Sequence, residues 1–253
     1  MSTRPLILVS NDDGILAPGI AVLAEAVSAF GDVIVAAPDG ERSASSHAIT
    51  LNGHLRSHEI RPRWFAVTGT PVDAVYLGAL HLCPRIPDLV VAGVNPGYNL
   101  GTDVHYSGTV GAAREGRLRG ASAIAFSVRA GVDARAAVVA VDRVVPVLLA
   151  RHARGERHLL NVNVPGPRED GSVRVVGTHL GKRLYRDHVD QRHDPQGRPY
   201  FWIGGPPLPG PEERGGDGWA VQRGDISVTP LGLDPTAADA DAWRHALDEP
   251  SDG

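Results

Sequence analysis

The 253-residue chain has a single cysteine, Cys83. That excludes an intrachain disulfide framework and any cysteine-built zinc centre, and it suits a reducing compartment. Lysine is nearly absent: Lys182 is the only one, and arginine supplies the rest of the 25 basic side chains. No Gly-x-x-x-x-Gly-Lys-[Ser/Thr] segment occurs, which excludes a P-loop nucleotide site. Positive charge is not in excess either. The formal net charge is −4, so the electrostatic footprint of a nucleic-acid binder is missing. Long hydrophobic runs are missing as well. The opening "MSTRPLILVS" holds a four-residue apolar stretch, too short for a signal peptide or a membrane span. These absences predict a soluble, cytoplasmic protein with neither a nucleic-acid nor a membrane partner.

What is present is ordinary in bulk and informative in order. A hydrophobic share of 42% over this length can bury a large core without staples. Thirty glycines and twenty prolines point to many tight turns rather than a helical bundle. Short apolar runs at 6–10, 33–37, 64–68, 88–92, 123–128 and 158–164 predict strands. Between them, helical periodicity predicts helices over 19–30, after Thr70, over 109–118 and over 138–149. Thr70 is placed to cap its helix and Pro71 to open it, while Pro146 should kink or end the one that contains it. Strands apolar on both faces alternating with helices predict an α/β fold with a doubly wound, mainly parallel sheet.

The composition changes from about Gly166. Residues 179–218 are rich in Gly, Pro, Arg, His and Asp, with isolated aromatics at Tyr185, Tyr200, Phe201 and Trp202. This reads as an extended C-terminal hairpin or arm, followed by a returning strand at 225–230, a terminal helix at 236–247 and a frayed tail. The division is a catalytic core over 1–178 and an arm with its terminal elements, used in oligomerisation, over 179–253. Aromatics on so sparse a segment are the residue types enriched at interfaces.

Three polar sets follow predicted strand ends, where ligands bind in open α/β sheets. They are Asn11-Asp12-Asp13-Gly14; "PDGERSASS" with Asp39, Arg42, Ser43, Ser45 and Ser46; and "GVNPGYNLGTDVHYSGTVGAAREG" with Asn95, Asn99, Asp103, Ser107 and Thr109. Carboxylate, amide and hydroxyl oxygens suit hard cations such as Mg²⁺ or Mn²⁺. Gly93, Gly97 and Gly101 allow close backbone approach to an anion, and "YSGTVGAAREG" opens a helix whose N-terminus attracts phosphate. Each piece also has a plain reading: an Asp-Asp-Gly turn in water, a serine-rich loop, asparagines capping turns. Their recurrence at one sheet edge is what favours a metal-assisted phosphate site.

The blocks "ILVSNDDGILAPGI", "APDGERSASS", "VTGTPVDAVYLG", "VAGVNPGYNLGTDVHYSGTVGAAREG" and "ISVTPLGLD" resemble, in order, the signatures of the SurE (survival protein E) family. These are acid-phosphatase-like 5′/3′-nucleotidases. The resemblance implies a Rossmann-like α/β domain with a protruding C-terminal part that builds a homodimer or homotetramer. It implies hydrolysis of nucleoside 5′- and 3′-monophosphates, and of short polyphosphate, with one divalent metal ion, Mg²⁺ or Mn²⁺. Carried over by motif, Asp12, Asp13, Ser43 and Asn95 hold the metal, with Asp12 and Asp13 the catalytic pair. Asn11 and Asn99 line the phosphate site, and Ser107, Gly108 and Thr109 cradle the phosphate. Either the metal activates a water, the favoured route, or one of the two aspartates attacks phosphorus.

Two rival readings meet specific objections. A haloacid-dehalogenase-type phosphatase needs aspartates one residue apart and a core lysine, whereas these aspartates are contiguous and Lys182 lies in the arm. A nucleotide-binding protein without turnover would present Lys or Arg to the phosphate; paired carboxylates repel it unless a cation intervenes.

Overall fold

Leu6–Ser10, the first strand β1, is buried at every residue, as a strand covered on both faces must be. In the computed structural model, which describes residues 4–168, 170–206, 208, 213–237, 239–241 and 243, ten further strands follow. They are β2 (Asp32–Pro38), β3 (Ser57–Arg61), β4 (Trp64–Val67), β5 (Leu89–Asn95), β6 (Ser122–Val128), β7 (Leu159–Val164), β8 (Val175–Gly177), β9 (His188–His193), β10 (Pro199–Gly204) and β11 (Ile226–Leu231). The helices are α1 (Pro18–Ser28), α2 (Pro71–Leu77), α3 (Gly108–Leu118), α4 (Val138–Ala153) and α5 (Asp217–Gln222).

Nine strands form one sheet in the order β3-β4-β2-β1-β5-β6-β7-β11-β8. The six from β4 to β7 run parallel, while β3 and β11 are antiparallel to their inner neighbours. From β1 the chain winds one way to β2 and β4 and then the other way to β5, β6 and β7. The switch point therefore falls beside β1, and the loops after β1, β2 and β5 are neighbours at the carboxyl edge.

Alternation along the strands divides the core. Ile7, Val9, Val35, Val91, Ile124 and Phe126 face α1 and α4, where Ile20, Leu23, Val141, Val145 and Leu148 complete one layer. Leu6, Leu8, Ile34, Ala36, Val90 and Ala92 face the other way, toward Val75 of α2 and Val110, Ala112 and Ala113 of α3. The expected doubly wound sheet is the observed one.

Local signals explain the helix ends. Thr70 accepts from the Asp73 amide at 3.1 Å while the Asp73 carboxylate accepts from the Thr70 amide at 2.9 Å, a reciprocal cap with Pro71 in the first turn. Pro146 does not end α4, which runs on through it to Ala153. Pro146 and Asp142, whose carbonyl it leaves without an intrahelical donor, are both exposed residues, and the buried stripe Ala140, Val141, Val144, Val145, Leu148 continues past them. Packing outweighs the lost hydrogen bond. Strands β3 and β8 are additions; β3 (SHEIR) is an edge strand exposed throughout and so lacks an apolar alternation to read.

Helix α3 is unusual in its glycines. A Cβ on Gly116 would sit 2.4 Å from the Val90 Cβ, and one on Gly111 would sit 2.2 Å from the Ser46 carbonyl oxygen. Helix and sheet thus approach more closely than any side chain permits. Gly116→Ala is expected to destabilise the fold by about 1–3 kcal/mol through overpacking, outweighing the ~1 kcal/mol it gains in helix propensity. Urea unfolding measures this, and an unchanged or raised midpoint would contradict the close packing.

Past β8 the chain leaves the sheet. β9 and β10 pair as an antiparallel hairpin, with Pro199 opposite His193 and Gly204 opposite His188. The hairpin is exposed along nearly its whole length, with Trp202 61% and Ile203 89% accessible, before α5 leads back to β11. Half of the terminal helix read at 236–247, and all of the tail beyond it, lie outside the described residues; within them Ala240, Asp241 and Trp243 are helical.

Candidate active site

The carboxyl edge beside β1 is shaped first by Asn11. Its side-chain oxygen accepts from the Gly14 amide at 3.2 Å and its side-chain amide donates to the Gly14 carbonyl at 2.9 Å. Gly14 itself has φ +101° and packs against the Gly40 backbone, so no other residue fits there without strain. This closed turn holds the next two residues at the edge. Asp12 and Asp13 therefore do not project into water from a loose loop, as a plain Asp-Asp-Gly turn would have them do.

Asp12 is buried, and its Oδ1 accepts a short hydrogen bond from the Thr109 hydroxyl. Burial pushes its carboxyl above the ordinary range, against the opposing pull of Thr109. Asp13 is pushed up to about 6, first by burial and then by the charges of Asp12 and Glu41. Among the described residues neither aspartate has a cationic partner, and no cluster of three or more His, Cys, Asp or Glu side chains is placed to hold a metal. The local donors are therefore two carboxylates supplemented by hydroxyl and amide oxygens, a set suited to a hard cation rather than to zinc.

Facing Asp12 is the start of α3. Ser107 caps the helix, its hydroxyl accepting from the Val110 amide at 3.1 Å. A Cβ on Gly108 would lie 2.7 Å from the Ser45 Oγ and 2.9 Å from the Asp12 Cβ. The glycine keeps the first turn of α3 open to Asp12 and Ser45. First-turn amides of a helix lack intrahelical partners and favour an anion.

The loop after β2 is fastened over this turn. Its Arg42 amide donates to the Asp12 carbonyl at 2.7 Å, and its Ser46 amide donates to the Tyr106 carbonyl at 3.0 Å. Ala44 and Ser46 both have left-handed backbones, at φ +55° and +52°, so strain is concentrated where the loop meets the site. His47 lies 2.8 Å from the buried carboxylate of Glu115 on α3, and Glu115 lies 2.9 Å from Arg119.

The residues singled out from the sequence share this edge, but they do different work. Asp12, Thr109 and Gly108 are in direct contact. Asn11 has both polar atoms in its own turn. Ser43 is exposed and donates to Glu41 at 2.7 Å; Asn95, at the end of β5, donates to the Gly97 carbonyl at 2.6 Å. Asn99 is buried in an amide web: its backbone amide donates to the Asn163 Oδ1 at 2.9 Å and its side-chain amide to the Ser127 Oγ at 2.9 Å. Its carbonyl accepts from Asn161 and Asn163 at 2.8 and 3.0 Å.

Several contributors were not picked out from the sequence: Asn161, Asn163, Ser127, Glu115, and Glu41. For β7 the signal was there, since two asparagines inside "LLNVNV" at alternating positions put both on one face of a buried strand. A buried amide without a partner is costly, so such a pair implies an undiscovered ligand or loop.

The family model "Survival protein SurE" matches residues 7–187. The chain belongs to the SurE family. A SurE relative named 5′-nucleotidase in Sorangium cellulosum is 46% identical over 242 residues, covering 93% of this chain and 92% of the relative. One in Geobacter sulfurreducens, with the same name, is 49% identical over 234 residues, covering 91% and 88%. The crystal structure of the SurE protein from Aquifex aeolicus superposes with a TM-score of 0.81 at 39% identity, covering 96% of this chain and all of that one. The nine-stranded sheet described above is thus that of a SurE protein, and the match to the family model takes in all three edge loops.

Proposed function

We infer that the chain is a 5′-nucleotidase, hydrolysing nucleoside 5′-monophosphates to nucleoside and phosphate, in keeping with the names of its relatives. The observation that carries the reading is the buried Asp12 carboxylate held against the open first turn of α3. One element there attracts a cation and the other an anion, and the two are in direct contact through Thr109. We extend the reading to 3′-monophosphates and short polyphosphate, and to dependence on one Mg²⁺ or Mn²⁺ ion.

Asp12, Asp13, Ser43 and Asn95 would hold the cation. Bound there, a divalent ion neutralises charge on the phosphoryl oxygens and lowers the pKa of water. The chain's own residues do the positioning. The Thr109 hydroxyl fixes Asp12 in one orientation, which favours a holding role over attack on phosphorus. Ser107, Gly108 and Thr109 receive the phosphate at the helix start, and Asn99, rigidified by β7, borders it. Asn11 serves by shaping the turn.

Phosphate release from a nucleoside 5′-monophosphate, its 3′-isomer and tripolyphosphate, with and without Mn²⁺, tests the whole proposal. No release by metal-loaded protein would overturn it and leave a nucleotide-binding protein. The free, buried Cys83 supports a reducing, cytoplasmic location, and among the described residues no helix is long and apolar enough to cross a membrane.

The arm supports a homo-oligomer, a dimer or a tetramer, with 1–178 as the catalytic part and 179–253 as the assembling part. A two-stranded hairpin is at best marginal in water by itself, and this one presents Val189, Phe201, Trp202 and Ile203 to solvent within one chain. A self-complementary pairing across a two-fold axis covers them most simply. Replacing residues 188–204 by a short glycine linker is expected to shift sedimentation toward monomer while metal binding persists. A truncated chain that sediments like the parent would end this assignment.

A further inference from the structure

We propose that Asp217, at the start of α5 and 118 residues downstream of Asn99 in the chain, is a positioning residue for the phosphate loop between Asn99 and Ser107. The inference rests on the function proposed above, because it takes that loop to receive phosphate.

Asp217 is only 1% exposed, and its carboxylate is the meeting point of three chain segments. Oδ2 accepts from the Gly101 amide at 2.8 Å; Oδ1 accepts from the Gly181 amide at 2.9 Å and from the Gly218 amide at 2.9 Å. A charged acceptor bound to several backbone amides makes stronger hydrogen bonds than a neutral one. Gly101 is in the phosphate loop, Gly181 at the base of the arm, and Gly218 in α5.

The geometry at Gly101 leaves little freedom. Its φ is +51°, and a Cβ there would lie 2.5 Å from the Gly181 carbonyl oxygen. From Gly101 a short 3₁₀ turn runs to His105, and the Ser107 amide closes back onto the Asp103 carbonyl at 3.1 Å. Displacing Gly101 would therefore move Ser107, the cap of α3. The other end of the loop, Asn99, is already fixed by Asn161 and Asn163 of β7. Asp217 is thus the anchor of the middle, and without it the loop would be tied firmly only at its ends.

The same stretch is laced to the arm on its outer side. The Thr102 hydroxyl donates to the Arg183 carbonyl at 2.7 Å, the Tyr185 hydroxyl donates to Asp103 at 2.7 Å, and the Arg183 guanidinium lies 2.9 Å from the other Asp103 oxygen. The Thr102 and Tyr185 contacts are on exposed groups, where solvent competes, whereas the Arg183–Asp103 pair is largely shielded, with Asp103 14% exposed. Of these ties to the arm side, the Asp217 carboxylate is the one that grips a backbone amide of the loop from full burial.

Asp225 supplies the matched control. It is equally buried, at 1%, and pairs with Arg168, but its partners lie away from the phosphate loop. The experiment compares metal-loaded wild type, Asp217→Asn, Asp217→Glu and Asp225→Asn. Each is assayed for KM and kcat with a nucleoside 5′-monophosphate, Ki for inorganic phosphate, Mn²⁺ affinity without substrate, and melting temperature. Asp217→Asn is expected to raise KM and Ki together by about tenfold, with kcat within about threefold and Mn²⁺ affinity unchanged. Asp225→Asn is expected to lower the melting temperature and leave KM and Ki alone.

An Asp217→Asn protein that loses only thermal stability, as the control does, overturns the inference. If that variant does not fold, the decision passes to Asp217→Glu, which keeps the carboxylate but shifts it by one methylene from the Gly101 amide. Raised KM and Ki there support the tether, and unchanged values overturn it. A wild-type protein with neither turnover nor phosphate inhibition defeats the proposed function and this inference with it. Turnover and inhibition in wild type, with every variant unchanged, defeats the tether alone.

Discussion

Asp12→Asn is expected to reduce phosphate release by at least about 10³-fold while leaving the chain folded. Loss of a ligand carboxylate forfeits several kcal/mol of charge stabilisation in the transition state, and each ~1.4 kcal/mol is tenfold in rate. The fold does not share that dependence. The amide oxygen of asparagine can still accept from the Thr109 hydroxyl, which is the contact that fixes Asp12. Burial already opposes the Asp12 charge, and that charge in turn helps push Asp13 up to about 6. Removing it relieves both effects, so the metal-free variant should melt at or above the wild-type temperature. Turnover and melting in EDTA are measured on the same preparation. Near-normal turnover at saturating Mn²⁺ would remove Asp12 from the site, and a large fall in melting temperature would mean that its role is structural.

Chelation should abolish activity just as fully, and reversibly. With two carboxylates close to the phosphate and no cationic side chain paired to them among the described residues, an anionic substrate meets net repulsion in the metal-free site. Dialysis against EDTA is therefore expected to lower the rate by a factor on the order of 10³ or more, and Mg²⁺ or Mn²⁺ to restore it. Far-ultraviolet circular dichroism should not change, because both core layers are made of apolar sheet and helix side chains whose packing does not depend on a bound ion. Full activity after exhaustive chelation would refute the metal assignment and put the aspartate-nucleophile route ahead of metal-activated water.

What the sequence disclosed and what it hid differ by range. Features set within a few residues were legible: the buried strand Leu6–Ser10, the Thr70–Asp73 cap, and the polar residues at strand ends. The doubly wound order followed from those strands because few topologies accommodate them. That α4 continues beyond Pro146 is decided by tertiary packing, which a local rule does not read. The amide web around Asn99 joins groups 28 to 64 positions apart, and the tether from Asp217 to Gly101 spans 116. Such pairings leave no mark in a local window. Buried polar residues in an apolar strand, as in "LLNVNV", are the nearest thing to a trace of them.

The close approach of α3 to its surroundings bears on how this enzyme comes into being. With glycines at 108, 111 and 116, the segment is a poor helix former alone, each glycine losing about 1 kcal/mol against alanine. Its helical state is imposed by Val90 and by the backbone at Ser46, which lies 65 positions before Gly111. The first turn of α3, proposed above to receive phosphate, therefore cannot exist as a local intermediate during synthesis or refolding. Nucleotide affinity should appear in step with the slowest long-range contacts and well after most of the circular dichroism signal has returned. A partly folded chain is then catalytically silent, and recovered activity is a direct count of molecules that have reached the native topology.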